Sequence, residues 1–233
     1  MNRASKDLEE SEESLKRELA IRSDLGRYLP GELVEQIVRR EREMALGGER
    51  RDVTILFADV VAFTPLTEKR SPEEVVTILN ELFTILTAIV FRHGGTVDKF
   101  IGDCVMALWG APTSQDDHAA KAVAAAEDMF RWLETGNAAW KERFDVTIRL
   151  AVGIHTGEAV VGNIGSETRM EYTAIGDAVN VAARLESIAR PQQILVTQAT
   201  RDAAGDDFEY VDAGTHRLAG KEEPLQLYEV KLL

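Results

Sequence analysis

Two aspartates set in apolar company are the residues of this chain best placed to do chemistry. Asp59 lies in Phe57–Thr64 (Phe-Ala-Asp-Val-Val-Ala-Phe-Thr) and Asp103 in Asp98–Ala107 (Asp-Lys-Phe-Ile-Gly-Asp-Cys-Val-Met-Ala). Each ends or interrupts a run of strand-forming residues. Carboxylates at the ends of neighbouring strands suit hard divalent cations such as Mg²⁺, which prefer oxygen ligands and keep substrate phosphates in the rest of their shell. The pattern points to an enzyme that handles a nucleotide. After Asp59, Phe63 and Thr64 precede a polar turn whose free amides could cradle phosphate oxygens; the plain alternative is a connecting loop with Phe63 in the core. Further on, Asn180 and Arg184 lie one turn apart on a helix opened by Gly176-Asp177, so both project from one face. A guanidinium is a permanently charged, forked donor suited to phosphoryl oxygens.

The elements that must position these residues can be read from periodicity. Val53–Ala58 is a β-type run. Pro72–Arg92 is an amphipathic helix, with Val75, Ile78, Leu79, Leu82, Phe83, Leu86, Ile89 and Val90 at three- and four-residue steps. Ser71 with Glu74 forms a capping-box signature before it, and Gly94-Gly95 stops it. Thr96–Ile101 and Cys104–Trp109 form a hairpin around Gly102-Asp103. A second helix is predicted from about Gln115 to Glu134. Val146–His155 and Ala159–Ile164 read as a strand pair around Thr156-Gly157, followed by a helix from Asp177 to about Ala189. A strand at Ile194–Val196 and a strand-rich tail with Tyr210–Val211 and Leu225–Val230 complete the chain. The order is βαββαβ, a ferredoxin-like α+β layer with an antiparallel sheet and helices on one face, plus a C-terminal strand-rich extension.

Residues 1–50 differ in character. Leu8, Leu15, Leu19, Leu25 and Leu29 stand among charges, as in an amphipathic helix or short coiled coil with an imperfect register. Pro30 starts a second helical stretch with Leu33, Val34 and Ile37 on one face, followed by Arg39–Arg42 and closed by Gly47-Gly48. The segment reads either as a solvated helical linker or as a dimer-forming helix that transmits a signal from an upstream sensor. Residues 51–233 then read as one domain, the one that holds the candidate chemistry.

The chain has 233 residues, 45% of them hydrophobic, and a net charge of −13, which argues against nucleic acid as a general partner. Its single cysteine, Cys104, excludes an intramolecular disulfide, and the four histidines show no zinc spacing. No secretory signal opens the chain, and no apolar run is expected to span a membrane. A reducing, cytoplasmic setting is the expectation.

Residues from about Arg51 to Val230 resemble the catalytic domain of class III nucleotidyl cyclases. Three separated motifs carry the resemblance: Phe57–Thr64, Asp98–Ala107 and Tyr172–Leu185 (Tyr-Thr-Ala-Ile-Gly-Asp-Ala-Val-Asn-Val-Ala-Ala-Arg-Leu). It implies formation of a cyclic 3′,5′-monophosphate from a nucleoside triphosphate with release of pyrophosphate. It also implies sites shared across a head-to-tail homodimer. On this reading Asp59, Asp103 and the Val60 carbonyl bind two divalent ions, Mg²⁺ or Mn²⁺. Asn180 orients the ribose, and Arg184 stabilises charge at the α-phosphorus. Lys221, in a loosely matched segment, contacts the triphosphate. Lys99 and Thr173 recognise the base. A lysine donates to adenine N1 and a threonine hydroxyl accepts from its amine, which favours ATP; guanylyl cyclases usually carry an acidic residue at the Lys99 position. Many adenylyl cyclases have aspartate where Thr173 stands, and threonine resembles the bicarbonate-stimulated subgroup. A guanylyl cyclase is the nearest alternative. A silent dimerisation or nucleotide-sensing module would be expected to lose a key residue, and the Gly-Gly-Asp-Glu-Phe signature of diguanylate cyclases is absent.

Overall fold

The run Val53–Ala58 is the buried centre of strand β1 (Gly47–Val60), and the layers that follow are built against it. The structure, a computed structural model, describes residues 45–221 and 223–232 with isolated positions nearer the N-terminus, and of Thr64 and Pro65 the backbone only. Chain contacts divide it into two units, Met1–Gly47 with Asn163–Tyr172, and Gly48–Gly162 with Thr173–Leu233.

In the first unit, Leu15 and Leu19 are helical and exposed, and Val34 is helical and buried. Leu8, Leu25, Leu29, Pro30, Leu33, Ile37 and Arg39–Arg42 lie outside the described residues. The Asn163–Tyr172 segment is a hairpin tip, closed by the Arg169 amide donating to Ser166 Oγ at 3.1 Å. Gly47-Gly48 opens β1, and the helical stretch expected before it lies, Val34 apart, outside the described residues.

After β1 the chain continues with α1 (Phe63–Thr67), α2 (Pro72–Arg92), β2 (Thr96–Ile101), β3 (Cys104–Trp109) and α3 (His118–Phe144). Then come β4 (Leu150–Ser166) and β5 (Arg169–Ile175), whose facing ends belong to the first unit, and α4 (Asp177–Ile188), β6 (Gln193–Thr197), α5 (Gln198–Ala204), β7 (Tyr210–His216) and β8 (Leu225–Val230). The strand order is β2-β3-β1-β4-β6-β8-β7, with β5 paired to β4 off that path. The β1–β3, β2–β3, β6–β8 and β7–β8 pairs are antiparallel. β4 and β6 run parallel, as a helical crossover through α4 requires. The expected α+β layer with a C-terminal extension is observed, with two corrections: the sheet is mixed, since β4 and β6 run parallel, and the helices are not confined to one face, since α4 packs on the other.

Helix α2 starts as its sequence demands. Ser71 Oγ accepts from the Glu74 amide at 3.2 Å, and the Ser71 amide donates to the Glu74 carboxylate at 3.3 Å. Its Ile78, Leu82, Leu86, Ile89 and Val90 are buried. They pack with Leu56, Ala58 and Val60 of β1, Val105 and Ala107 of β3, and the small-residue face of α3. By length and composition this helix could cross a membrane, contrary to the expectation that no apolar run reaches that length; its packing here is that of a core helix.

Helix α4 lies on the opposite face of the sheet. Ile194 and Val196 join the core beneath α3, whereas Leu195 between them packs with Val181 and Leu185 of α4 and with Leu227. Gly153 on β4 makes the close fit possible, since a Cβ there would stand 2.2 Å from the Glu186 amide nitrogen and 2.6 Å from the Ala182 carbonyl.

Two boundaries differ from the sequence reading. The expected turn at Thr156-Gly157 does not exist: β4 runs unbroken from Leu150 to Ser166. A Cβ at Gly157 would come within 3.2 Å of His155 Nε2, so the position is tightly packed. Helix α3 passes Glu134 and ends at Phe144, capped by Asp145 in the left-handed region. Within it, Gly136 lies under the Trp132 ring, where a Cβ would come within 2.5 Å.

Candidate active site

The β1–β3 register, with Ala58 opposite Val105, carries Asp59 at the end of β1 alongside the β2–β3 turn that holds Asp103. Gly102 takes φ +65° in that two-residue turn, a conformation glycine adopts without penalty. Beyond Val60 the Val61 amide donates to the Arg149 carbonyl at 2.8 Å and Ala62 turns at φ +59°, which ends the strand one residue after Asp59.

Burial dominates the electrostatics of this corner. Burial and then the Asp103 charge push the Asp59 carboxyl up to about 6, while the Val60 amide pulls it back. Burial also raises Asp103. A third carboxyl, Glu186 of α4, is pushed to about 7 by burial and by the charges of Asp59 and Asp103. Cys104 between them is buried and its thiol is driven well above the usual range, so it stays neutral. Among the described residues, no group of three or more His, Cys, Asp and Glu is arranged to hold a metal alone. Two carboxylates that repel each other fit hard divalent ions whose remaining ligands come from a substrate.

A second cluster joins the base-recognition candidates. Thr173 on β5 donates its hydroxyl hydrogen to Asp98 Oδ2 at 2.7 Å, and the Ala174 amide donates to the same oxygen at 3.3 Å. Lys99 Nζ stands 3.5 Å from Asp98 Oδ1. The Asp98 side chain is fully buried, which raises its carboxyl, while the Thr173 hydroxyl, the Lys99 charge and the Ala174 amide lower it. The β2–β3 register slips between Val97 and Lys99, so Asp98 is the extra residue of a β-bulge. Lys99 and Thr173, distant in sequence, thus meet on one carboxylate.

The third cluster surrounds α4. Asn180 is exposed, with Arg184 one turn on. The Arg184 guanidinium lies over Gly220, where a Cβ would come within 3.1 Å of Nη2 and where φ is +72°. The adjacent Lys221 pairs with Asp177 in the first turn of α4. Arg184 and Lys221 are therefore brought to one corner. His155, beneath them, bonds Thr197 at 2.8 Å and is lowered to about 4, chiefly by burial and then by the Lys221 charge.

Phe63 opens α1 and its ring packs against the core, as the plainer reading had it; the Thr64 side chain lies outside the described residues. Asp98 and Glu186 escaped the sequence reading. The signal for each was adjacency alone, to Lys99 and to Arg184. Cavities of about 390 Å³ by Ile85, Trp132 and Trp140, and of about 540 Å³ by Asp116 and His118, are lined by none of these residues.

Comparison with known proteins agrees with this geometry. The family described as "Adenylate and Guanylate cyclase catalytic domain" matches residues 48–231. "Adenylate cyclase 1" of Rhizobium meliloti is 38% identical over 205 residues, covering 87% of this chain and 31% of that protein. The chain thus spans about a third of that relative. The crystal structure of the guanylyl cyclase Cya2 is 40% identical with a TM-score of 0.76, covering 79% of this chain and 94% of that one. The adenylyl cyclase CyaB from P. aeruginosa is 34% identical with a TM-score of 0.77, covering 80% and 96%. Matched across most of its length by sequence and by fold, the chain belongs to the adenylate and guanylate cyclase catalytic domain family, whose members use divalent metal ions.

Proposed function

We propose that this chain is an adenylyl cyclase that converts ATP to 3′,5′-cyclic AMP and pyrophosphate. The observation that carries the reading is the meeting of Lys99 and Thr173 on Asp98, which sets an ammonium donor beside a hydroxyl as adenine N1 and its amine require. In the reaction the ribose 3′-hydroxyl loses its proton, the 3′-oxygen bonds the α-phosphorus, and the bond from that phosphorus to the bridging oxygen breaks to release pyrophosphate.

Asp59 and Asp103, with the Val60 carbonyl, hold two divalent ions, Mg²⁺ or Mn²⁺. When bound, these neutralise triphosphate charge and acidify the 3′-hydroxyl. Arg184 places its permanent charge against the α-phosphoryl oxygens, Asn180 orients the ribose, and Lys221 contacts the triphosphate. Phe63 and Thr64 offer backbone amides to phosphate.

The working unit is a head-to-tail homodimer, in which Asp59 and Asp103 of one protomer face Lys99, Thr173, Asn180 and Arg184 of its partner. Apolar side chains flanking the site support this: Phe100, Ile101 and Ile175 are 46%, 52% and 51% exposed. Residues 1–50 link this domain, 51–233, to an upstream sensor, and the setting is cytoplasmic. Threonine at position 173 carries with it a bicarbonate-responsive regulation; an ATP-saturated assay unmoved by bicarbonate at constant pH counts against that part.

Product formation from ATP and from GTP, with Mg²⁺ and with Mn²⁺, tests the substrate. Cyclic AMP as main product, rising more than linearly with protein at low concentration, is the expected result; cyclic GMP as main product overturns it. Mixing Asp59→Ala with Arg184→Ala protein tests the shared site, because one mixed site keeps every residue. Failure of two folded, co-dimerising variants to complement sinks the shared-site arrangement.

A further inference from the structure

We infer that Asp98 is the positioning residue that fixes base specificity, by committing the Thr173 hydroxyl hydrogen to itself so that only lone pairs remain for the base. The inference rests on the adenylyl reading and supplies what that reading lacks. A free threonine hydroxyl both donates and accepts, so alone it cannot separate the amine of adenine, a donor, from O6 of guanine, an acceptor.

Three observations remove the ambiguity. First, the β-bulge at Asp98 departs from strand alternation, and its side chain is fully buried beside the exposed Phe100 and Ile101. Bulges re-aim side chains in this way near functional sites. Second, Asp98 Oδ2 receives two donors, the Thr173 hydroxyl at 2.7 Å and the Ala174 amide at 3.3 Å. An oxygen that accepts two hydrogens carries none of its own. Third, Oδ1 faces the Lys99 ammonium at 3.5 Å and accepts no hydrogen bond from the described residues. The oxygen that faces Thr173 is therefore an acceptor only, and the carboxyl group is bordered by donors on both sides. Turning the Thr173 hydrogen toward a ligand would strip a buried carboxylate of a charge-assisted bond, among the stronger hydrogen bonds a protein makes.

The same carboxylate anchors Lys99, so both base-reading groups share one support. Asp98→Asn tests this because it changes polarity at nearly constant shape. A carboxamide has one acceptor end and one donor end. If its oxygen faces Lys99, its NH₂ faces Thr173 and turns the hydroxyl hydrogen outward, toward guanine O6. If its oxygen faces Thr173, its NH₂ meets the Lys99 ammonium and displaces it. Either arrangement erodes the preference for adenine.

The experiment compares kcat/KM for ATP and GTP on the full chain and on Asp98→Asn, with Mg²⁺. In parallel, ATP and GTP displace a fluorescent N-methylanthraniloyl nucleotide, so the ratio is read even where turnover is lost. Both readouts are ratios within one preparation, so any unfolded fraction cancels. The ATP:GTP ratio is expected to fall about tenfold, equivalent to one net charge-assisted hydrogen bond. Thr173→Val lowers it too, and the double variant loses less than the product of the two factors, because Asp98 acts through that hydroxyl. Asp98→Ala, which has no oxygen to take the hydrogen, gives the same fall and serves if the asparagine variant does not fold. An unchanged ratio in folded variants of an ATP-preferring wild type overturns the role of Asp98 and leaves the adenylyl reading standing. A wild-type preference for GTP overturns the adenylyl reading itself, before any variant is made.

Discussion

Two acidic sites a few residues apart in sequence are built on opposite principles. At the corner of β1, the β2–β3 turn and α4, burial raises Asp59, Asp103 and Glu186, the Asp103 charge adds to Asp59, the charges of Asp59 and Asp103 add to Glu186, and no positive partner figures among the causes. At the bulge, Asp98 is more deeply buried, yet a lysine, a hydroxyl and an amide all favour its charge. The first corner gathers negative charge and suits a ligand that brings positive charge. The second is complete within the chain and works as scaffold. Burial alone therefore does not mark a carboxylate as functional; what matters is whether the chain supplies the counter-charge.

The sharpest way to break this contrast is to neutralise each site. Asp59→Asn or Asp103→Asn should lower cyclase turnover about a thousandfold, because several kcal/mol of charge stabilisation depends on the ions held there. The melting temperature of the metal-free variant should not fall, since the change relieves repulsion. A large loss of stability would show that the corner is structural. Asp98→Ala should do the reverse to the fold, costing about 2–3 kcal/mol in denaturant titration by leaving buried donors without an acceptor.

The pH dependence sharpens the comparison next. Asp59, raised from 3.8 to about 6, and Glu186, raised from 4.5 to about 7, hold protons in the folded chain that the unfolded chain has already released. Their contribution to the stability of metal-free protein is thus lost as pH rises from about 4 to about 7. Added Mg²⁺ should raise the melting temperature by several degrees at pH 7.5 and much less at pH 5. An equal shift at both would separate the ion from these carboxylates. The smallest effect is a control: Ser71→Ala removes the α2 cap and should cost about 1 kcal/mol, leaving the Mg²⁺ response and the ATP:GTP ratio unchanged.

What the sequence made legible was local. The α2 boundaries followed from a capping box and a sustained helical period, and the β2–β3 hairpin from Gly102-Asp103, because those signals lie within a few residues of what they determine. Glycine misled at Gly157, which looked like a turn but lies within β4, where a Cβ would come within 3.2 Å of the His155 ring. Asp98 and Glu186 were illegible for another reason: the partners that give them meaning, Thr173 and Asp59, lie far along the chain. The third cluster was half legible, since helical spacing paired Asn180 with Arg184 but could not show that Gly220 brings Lys221 beside them.

Gly153 sets the mechanical character of the whole site. Where α4 crosses β4, main chain rests on main chain, with no rotamer between them to yield. Such a bearing is stiff, so any change in the twist of β4 passes undamped into the helix that carries Asn180, Arg184 and Glu186. An input that reaches the sheet then needs no separate linkage to reach Arg184, because the helix rests directly on the strand.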